Sequence, residues 1–235
     1  MIDDNTLMII TRPDESGQVL LAQYLAEGYQ ALHLPVMAYQ SLMAFDKKNI
    51  QQKITQADIV AFTSANGVRA FADIYDNRLL LDTKICAVGV MTGEAIKKMF
   101  QRDDVYIAGG NVEKLAEMII AMRQNLSVKV IHIGASGMAG EGWGADLVHR
   151  LNKADIAAEK IPLYDMVALE NIDAMVVKKI KHHCGKKIIL FFSPRTVALA
   201  VRLLKKYDMV ASDFIARGHS EAVATIAQEY GFQME

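Results

Sequence analysis

Leu34-Pro35-Val36 and Ile161-Pro162-Leu163 decide how this chain is divided. Four prolines occur in 235 residues, and they fall in two kinds of place. Pro13 and Pro194 each follow an apolar run and open a helical pattern, where a missing N–H costs nothing. Pro35 and Pro162 sit in short extended segments followed by Tyr39 and Tyr164, and neither leads straight into a helical pattern of its own. They read as two crossings between domains. The inserted domain is then residues 38–161, the outer domain joins 1–37 to 165–235, and linkers lie near 34–39 and 161–166. The competing reading of the same prolines is two loops of one large sheet.

Outward from the crossings, short β-branched runs alternate with helical patterns. Strands are predicted over Thr6 to Thr11, Asp58 to Thr63, Lys84 to Val88, Val105 to Ala108, Val128 to Ile133, Ile188 to Phe192 and Phe214 to Ala216. Between them, apolar residues recur at helical spacing, as in Val19 to Ala26, Leu115 to Met122 and Val197 to Leu204. This alternation predicts an α/β fold of βαβ units, and the nearly continuous apolar strands predict parallel sheets covered on both faces. A faint repeat adds that the two lobes are similar. Phe62-Thr63-Ser64-Ala65-Asn66-Gly67-Val68 resembles Phe191-Phe192-Ser193-Pro194-Arg195-Thr196-Val197, and a glycine follows each serine by 25 residues, at Gly89 and Gly218.

Charged residues make up 23% of the chain and the net charge is -1, which argues against a nucleic-acid partner held by bulk positive charge. An anionic ligand remains compatible, because backbone amides at helix N-termini hold anions without net charge. Hydrophobic residues reach 52%, ample for two cores, yet the apolar runs are strand-sized and none predicts a membrane span. No basic region followed by an apolar core opens the sequence, so no signal peptide is expected. Cys86, in an apolar strand, and Cys184, at a helix end, read as reduced thiols of a cytoplasmic protein.

In open parallel sheets, ligands bind beyond the carboxyl ends of the strands. Five turns of that kind are legible: Thr11-Arg12-Pro13, Thr63-Ser64-Ala65-Asn66, Gly89-Val90-Met91-Thr92, Ser193-Pro194-Arg195-Thr196 and Gly218-His219-Ser220. Each is rich in residues suited to capping and close backbone approach. Taken singly they read as ordinary helix caps; spread over two lobes, they predict an anion-lined cleft. Gly134 to Gly144 lacks a clean G-x-G-x-x-G and reads as a mobile loop rimming that cleft, not a dinucleotide site. His182-His183-Cys184 reads as a solvated helix end, so no metal is expected, and the 13 methionines read as core filler.

Taken in order, Thr-Arg-Pro at 11–13, Leu-Pro at 34–35, Thr-Ser-Ala-Asn-Gly-Val at 63–68, Val-Gly-x-x-Thr at 88–92, Pro-Leu-Tyr at 162–164 and Phe-Ser-Pro at 192–194 resemble the uroporphyrinogen-III synthase family over essentially the whole chain. The resemblance implies two flavodoxin-like α/β lobes, one inserted in the other, joined by a two-stranded linker with a cleft between. It implies a cofactor-free lyase of porphyrin and heme biosynthesis. The substrate would be hydroxymethylbilane, a polycarboxylate linear tetrapyrrole, cyclised to uroporphyrinogen III with loss of water and inversion of ring D through a spiro intermediate. Tyr164 matches the family's linker tyrosine, the candidate for helping the hydroxyl leave. A phenol of pKa about 10 can do so while neutral; packing between lobes is its other reading.

The same resemblance puts Arg12, Thr63, Ser64, Thr92 and Ser193 at substrate-binding positions, with a surface charge as the other reading of Arg12. Where the family has a small apolar residue and Gly-x-Thr-Thr, this chain has Arg217-Gly218-His219-Ser220-Glu221. Ser220 keeps one hydroxyl, Glu221 replaces the other, and Arg217 supplies charge to offset it. Ser212 stands where some members have a lysine. The partners expected are a small-molecule substrate, no nucleic acid and no membrane, in a monomer. A non-catalytic two-lobed cytosolic binding module for a small anion, or a degenerate synthase paralogue, would share these features.

Overall fold

The computed structural model describes residues 5–42, 46–74, 82–123, 127–136 and 144–235. The chain begins with β1 (Thr6–Ile10), α1 (Asp14–Ala26), β2 (Gln30–His33) and β3 (Met37–Ser41). There follow α2 (Lys47–Thr55), β4 (Ile59–Phe62), α3 (Ala65–Ala72), β5 (Lys84–Ala87), α4 (Val90–Phe100), β6 (Val105–Ile107) and α5 (Val112–Met122). Next come β7 (Lys129–Ala135), α6 (Gly144–Lys153), β8 (Ala157–Ala168) and α7 (Ala174–His182). The last elements are β9 (Lys186–Phe191), α8 (Pro194–Lys206), β10 (Ile215–Gly218), α9 (Glu221–Glu229) and β11 (Gln233–Met234). The chain divides into two compact units: Met1–Tyr39 with Val167–Glu235, and, interrupting it, Gln40–Met166.

The outer unit is built on a sheet of order β11-β10-β9-β1-β2, with every pairing parallel. All five residues of β1 are buried, because a parallel strand in mid-sheet has helices on both faces. Leu7, Ile9, Ile189 and Phe191 pack on one face with Val197, Ala200 and Leu203 of α8. Met8, Ile10, Ile188 and Leu190 alternate to the other face, against Leu20 and Leu21 of α1.

The inserted unit has the order β3-β8-β7-β4-β5-β6. Strands β4 to β8 pair in parallel. Ile59, Ala61, Cys86 and Val130 face α5 and α6 through Leu115, Ile119, Leu147 and Leu151. Phe62 faces the other way, edge-on to Phe71 of α3 at 5.5 Å and close to Phe100 of α4 at 6.0 Å. Strand β3 runs antiparallel to β8: the Val36 carbonyl accepts from Leu169 N–H, while Leu42 N–H donates to Leu163.

Pro162 lies inside β8, a strand of 12 residues where the sequence reading has only a crossing. Proline brings no N–H to the ladder. The register responds: Gly134 pairs with Pro162, but Ala135 pairs with Tyr164, so β8 carries one extra residue at this step. The repeated βα unit is equally concrete. Ser64 and Ser193 have φ/ψ of -160/155 and -158/156, and each caps the helix that follows it.

Among the described residues, no helix is long and apolar enough to cross a membrane. Cys86 is buried and Cys184 exposed, both free; burial, partly countered by the Lys84 charge, pushes the Cys86 thiol up to about 12.

Candidate active site

In the inserted unit, β4 ends at Phe62 and α3 begins at Ala65, leaving Thr63 and Ser64 as the turn beyond the strand. Ser64 adopts extended backbone and its Oγ accepts the Gly67 N–H at 3.1 Å, the bond that starts α3. The same oxygen lies 2.8 Å from the Tyr164 hydroxyl. Tyr164 is only 5% exposed, brought there by the second half of β8. Its neighbour Met166 receives the Asn66 side-chain amide at 3.5 Å. So Ser64, a predicted ligand hydroxyl, serves here as a cap and as the partner of the predicted catalytic phenol.

Thr63 points to the other face of the sheet, where its Oγ1 is 3.0 Å from His132 Nε2. His132, on β7, is 0% exposed. Burial pushes its pKa down to about 3, with the Lys160 charge acting in the same sense. The sequence reading passes over His132 inside an apolar strand; the signal present is a lone polar residue in a run otherwise destined for the core.

Thr92, predicted to bind substrate, is a buried residue of α4 at 5% exposure. Gly89 caps that helix without a side chain, and Val90 and Met91 are what the turn leaves exposed. A groove of about 620 Å³ in the same unit is lined by Gln40, Lys53, Glu159 and Pro162, and does not include Thr63, Ser64 or Tyr164.

In the outer unit, Thr11 is buried and donates to the Leu190 carbonyl at 2.6 Å. The Arg12 guanidinium stands 4.9 Å from the centroid of the Phe192 ring, and the His219 ring lies 5.8 Å from the same ring. Three successive turns therefore converge at the carboxyl edge of this sheet. His33 holds the first of them: Nε2 is 2.6 Å from the Arg12 carbonyl, and Gln18 Nε2 is 2.9 Å from Nδ1. Gly17 packs against this pair, since a Cβ there would lie 2.1 Å from the Arg12 carbonyl oxygen and 2.3 Å from His33 Nε2.

Ser193 forms a capping box with Thr196, and Ser220 caps α9 by accepting the Val223 N–H at 3.4 Å. Arg217, expected to offset Glu221, gives its guanidinium to the Glu235 carboxylate through Nε and Nη2, and lies 3.4 Å from the Tyr24 hydroxyl. That pairing lowers the Glu235 pKa, the hydrogen bond from Arg217 being the largest cause.

The signals set aside from sequence have a plain structural account. His182 Nδ1 lies 2.8 Å from the Lys178 carbonyl and His183 Nε2 3.1 Å from that of Asn5. Among the described residues, no group of three or more His, Cys, Asp or Glu side chains is arranged to hold a metal. Of the glycine-rich stretch, Gly134 and Ala135 belong to β7, and residues 137–143 lie outside the described residues.

Comparison with known proteins agrees across sequence and fold. A family model described as uroporphyrinogen-III synthase HemD matches residues 18–234. The porphyrin biosynthesis protein HemD of Ruminiclostridium josui is 26% identical over 234 residues, covering 97% of this chain and 45% of that protein. The chain thus spans about half the length of this curated relative. The uroporphyrinogen-III synthetase of Helicobacter pylori has the same fold at a TM-score of 0.58 and 16% identity, covering 97% of this chain and 92% of that one. A mutant uroporphyrinogen III synthase of Thermus thermophilus gives 0.57 at 13% identity, covering 97% and 90%. With the family model matched from α1 to the last strand, the chain belongs to the uroporphyrinogen-III synthase family.

Proposed function

We propose that this chain cyclises hydroxymethylbilane to uroporphyrinogen III, with loss of water and inversion of ring D. Unaided, the bilane closes at the unsubstituted carbon to the type I isomer. The catalyst must favour attack at the substituted carbon of the last ring, giving a spiro-pyrrolenine that reopens and closes inverted. That is selection between two transition states, achieved by holding carboxylate arms in place, together with an assisted departure of hydroxide.

The observation that carries this reading is the Ser64–Tyr164 pair at 2.8 Å. Gly67 N–H already donates to Ser64 Oγ, so the serine hydrogen is available to the phenol oxygen. With Ser64 as donor, the Tyr164 O–H is not spent on Ser64, and a neutral phenol gives it to the departing hydroxyl. Thr63, the residue before Ser64 in the same turn, takes an acetate or propionate group of the substrate. The protein acts as a cytoplasmic monomer, with no cofactor, nucleic acid or membrane partner.

The test is a coupled assay in which hydroxymethylbilane is generated in situ and the porphyrin isomers are separated after oxidation. Type III product in proportion to added protein is expected. Type I alone at high protein concentration would remove the synthase reading and favour a non-catalytic binding module.

A further inference from the structure

His132 is fully buried, and its Nδ1 has no hydrogen-bond partner among the described residues. Its other nitrogen faces Thr63 Oγ1 at 3.0 Å. The surroundings are built to hold the ring in that pose. Lys160 pairs in register with His132, and Gly134 leaves the space both side chains occupy: a Cβ there would be 3.0 Å from His132 Cε1 and 3.0 Å from Lys160 Cε. A ring held neutral by burial carries one N–H and therefore has two tautomers. With the hydrogen on Nδ1, a buried N–H has no acceptor; with it on Nε2, only a lone pair is left unmet. Orphaned buried donors are the rarer and costlier outcome.

We infer that His132 is a positioning residue whose Nε2–H donates to Thr63 Oγ1, so that the Thr63 hydroxyl keeps its own hydrogen for a carboxylate of the substrate. The inference rests on reading Thr63 as a carboxylate-binding residue of the synthase proposed above. Either tautomer keeps the Thr63–His132 contact, but only this one leaves the hydroxyl a dedicated donor. A hydroxyl that spent its hydrogen on Nε2 would face the ligand with lone pairs and repel it.

The tautomer is read without substrate, from long-range nitrogen–proton correlation spectra of histidine-labelled protein, with His132→Gln to assign the ring. A protonated Nε2 and a bare Nδ1 are expected; a protonated Nδ1 overturns the inference. In the coupled assay, His132→Phe should raise KM about tenfold while kcat stays within about twofold, the mark of a lost binding contact. His132→Gln, whose amide N–H reaches the place of Nε2, should restore KM. In a Thr63→Val background, His132→Phe should add nothing further. An unchanged KM in His132→Phe, or additive losses in the double variant, overturns the role through Thr63. Type I product alone, with the Nε2–H tautomer seen, would overturn the substrate half and leave the tautomer standing.

Discussion

Acid should destabilise the inserted unit through His132, in a pH window set by burial. The imidazole titrates near its ordinary value of 6.5 when unfolded and at about 3 when folded. The folded ring therefore binds fewer protons than the unfolded one between those values. Stability is fully present above the unfolded pKa and falls as the pH drops toward the folded one. The loss approaches about 1.4 kcal/mol per pH unit, or roughly 2 kcal/mol between about pH 6.5 and 4.5. Paired carboxylates such as Asp104, held low by its hydrogen bond from Arg102, also lose stability in acid, but they do so in any variant. Urea unfolding of the parent and of His132→Gln across this range isolates the histidine. The parent should lose roughly 2 kcal/mol more than the variant. Parallel curves for the two proteins would refute the argument, because they would mean that the folded ring takes up its proton as readily as the unfolded one.

Four other contacts can be perturbed in the same spirit. Tyr164→Phe should slow type III formation about 100-fold with little change in fold, and more than any single Thr or Ser change; equal rates would remove the phenol from the mechanism. Ser64→Ala should cost about 1 kcal/mol from the lost cap, more if the Tyr164 hydroxyl is left unmet, measured as a fall in melting temperature alongside slower turnover. Gly17→Ala gains about 1 kcal/mol in helix propensity yet should destabilise by about 1–3 kcal/mol, because the new Cβ meets the Arg12 carbonyl and His33; a rise in melting temperature would contradict the close approach. Glu235→Gln breaks a pair whose side chains are 43% and 42% exposed, so stability should move by less than about 1 kcal/mol in urea unfolding.

The βα alternation was legible because strands buried on both faces, such as the run at Ile188 to Leu190, are made mostly of apolar residues. Of the four strands that escaped, β2, β3, β8 and β11, two show the opposite reason plainly. Gln30–His33 forms the edge strand β2, with only Leu32 buried, and its mixed residues carry no apolar run. Strand β8 mixes Glu159 and Lys160 with apolar neighbours, and its proline reads as a break. Apolar spacing alone places a helix start too late: α5 opens at Val112 behind its Asn111 cap, three residues before Leu115. In the site, composition disclosed the turns but not how their hydroxyls are used. Ser64, Ser193 and Ser220 all accept a backbone N–H from their own helices. Whether a serine serves its helix or a ligand depends on backbone dihedrals, which residue type alone does not set.

Pro162 shows how a residue read as punctuation reaches the chemistry. Residues paired across a sheet share a face, and alternate residues along a strand share it too. His132 and Gly134 pair with Lys160 and Pro162, so strict alternation would send Tyr164 to the face that holds His132. The extra residue at the proline step instead sets Tyr164 opposite Ala135, on the opposite face. On β4 the same parity holds: Ala61 pairs with His132 and Phe62 with Ile133, so Thr63 continues one face and Ser64 the other. The observed bonds follow that division, Thr63 to His132 and Ser64 to Tyr164. Two adjacent hydroxyls of one turn thus receive different partners from β7 and β8, and it is the bulge at Pro162 that separates them.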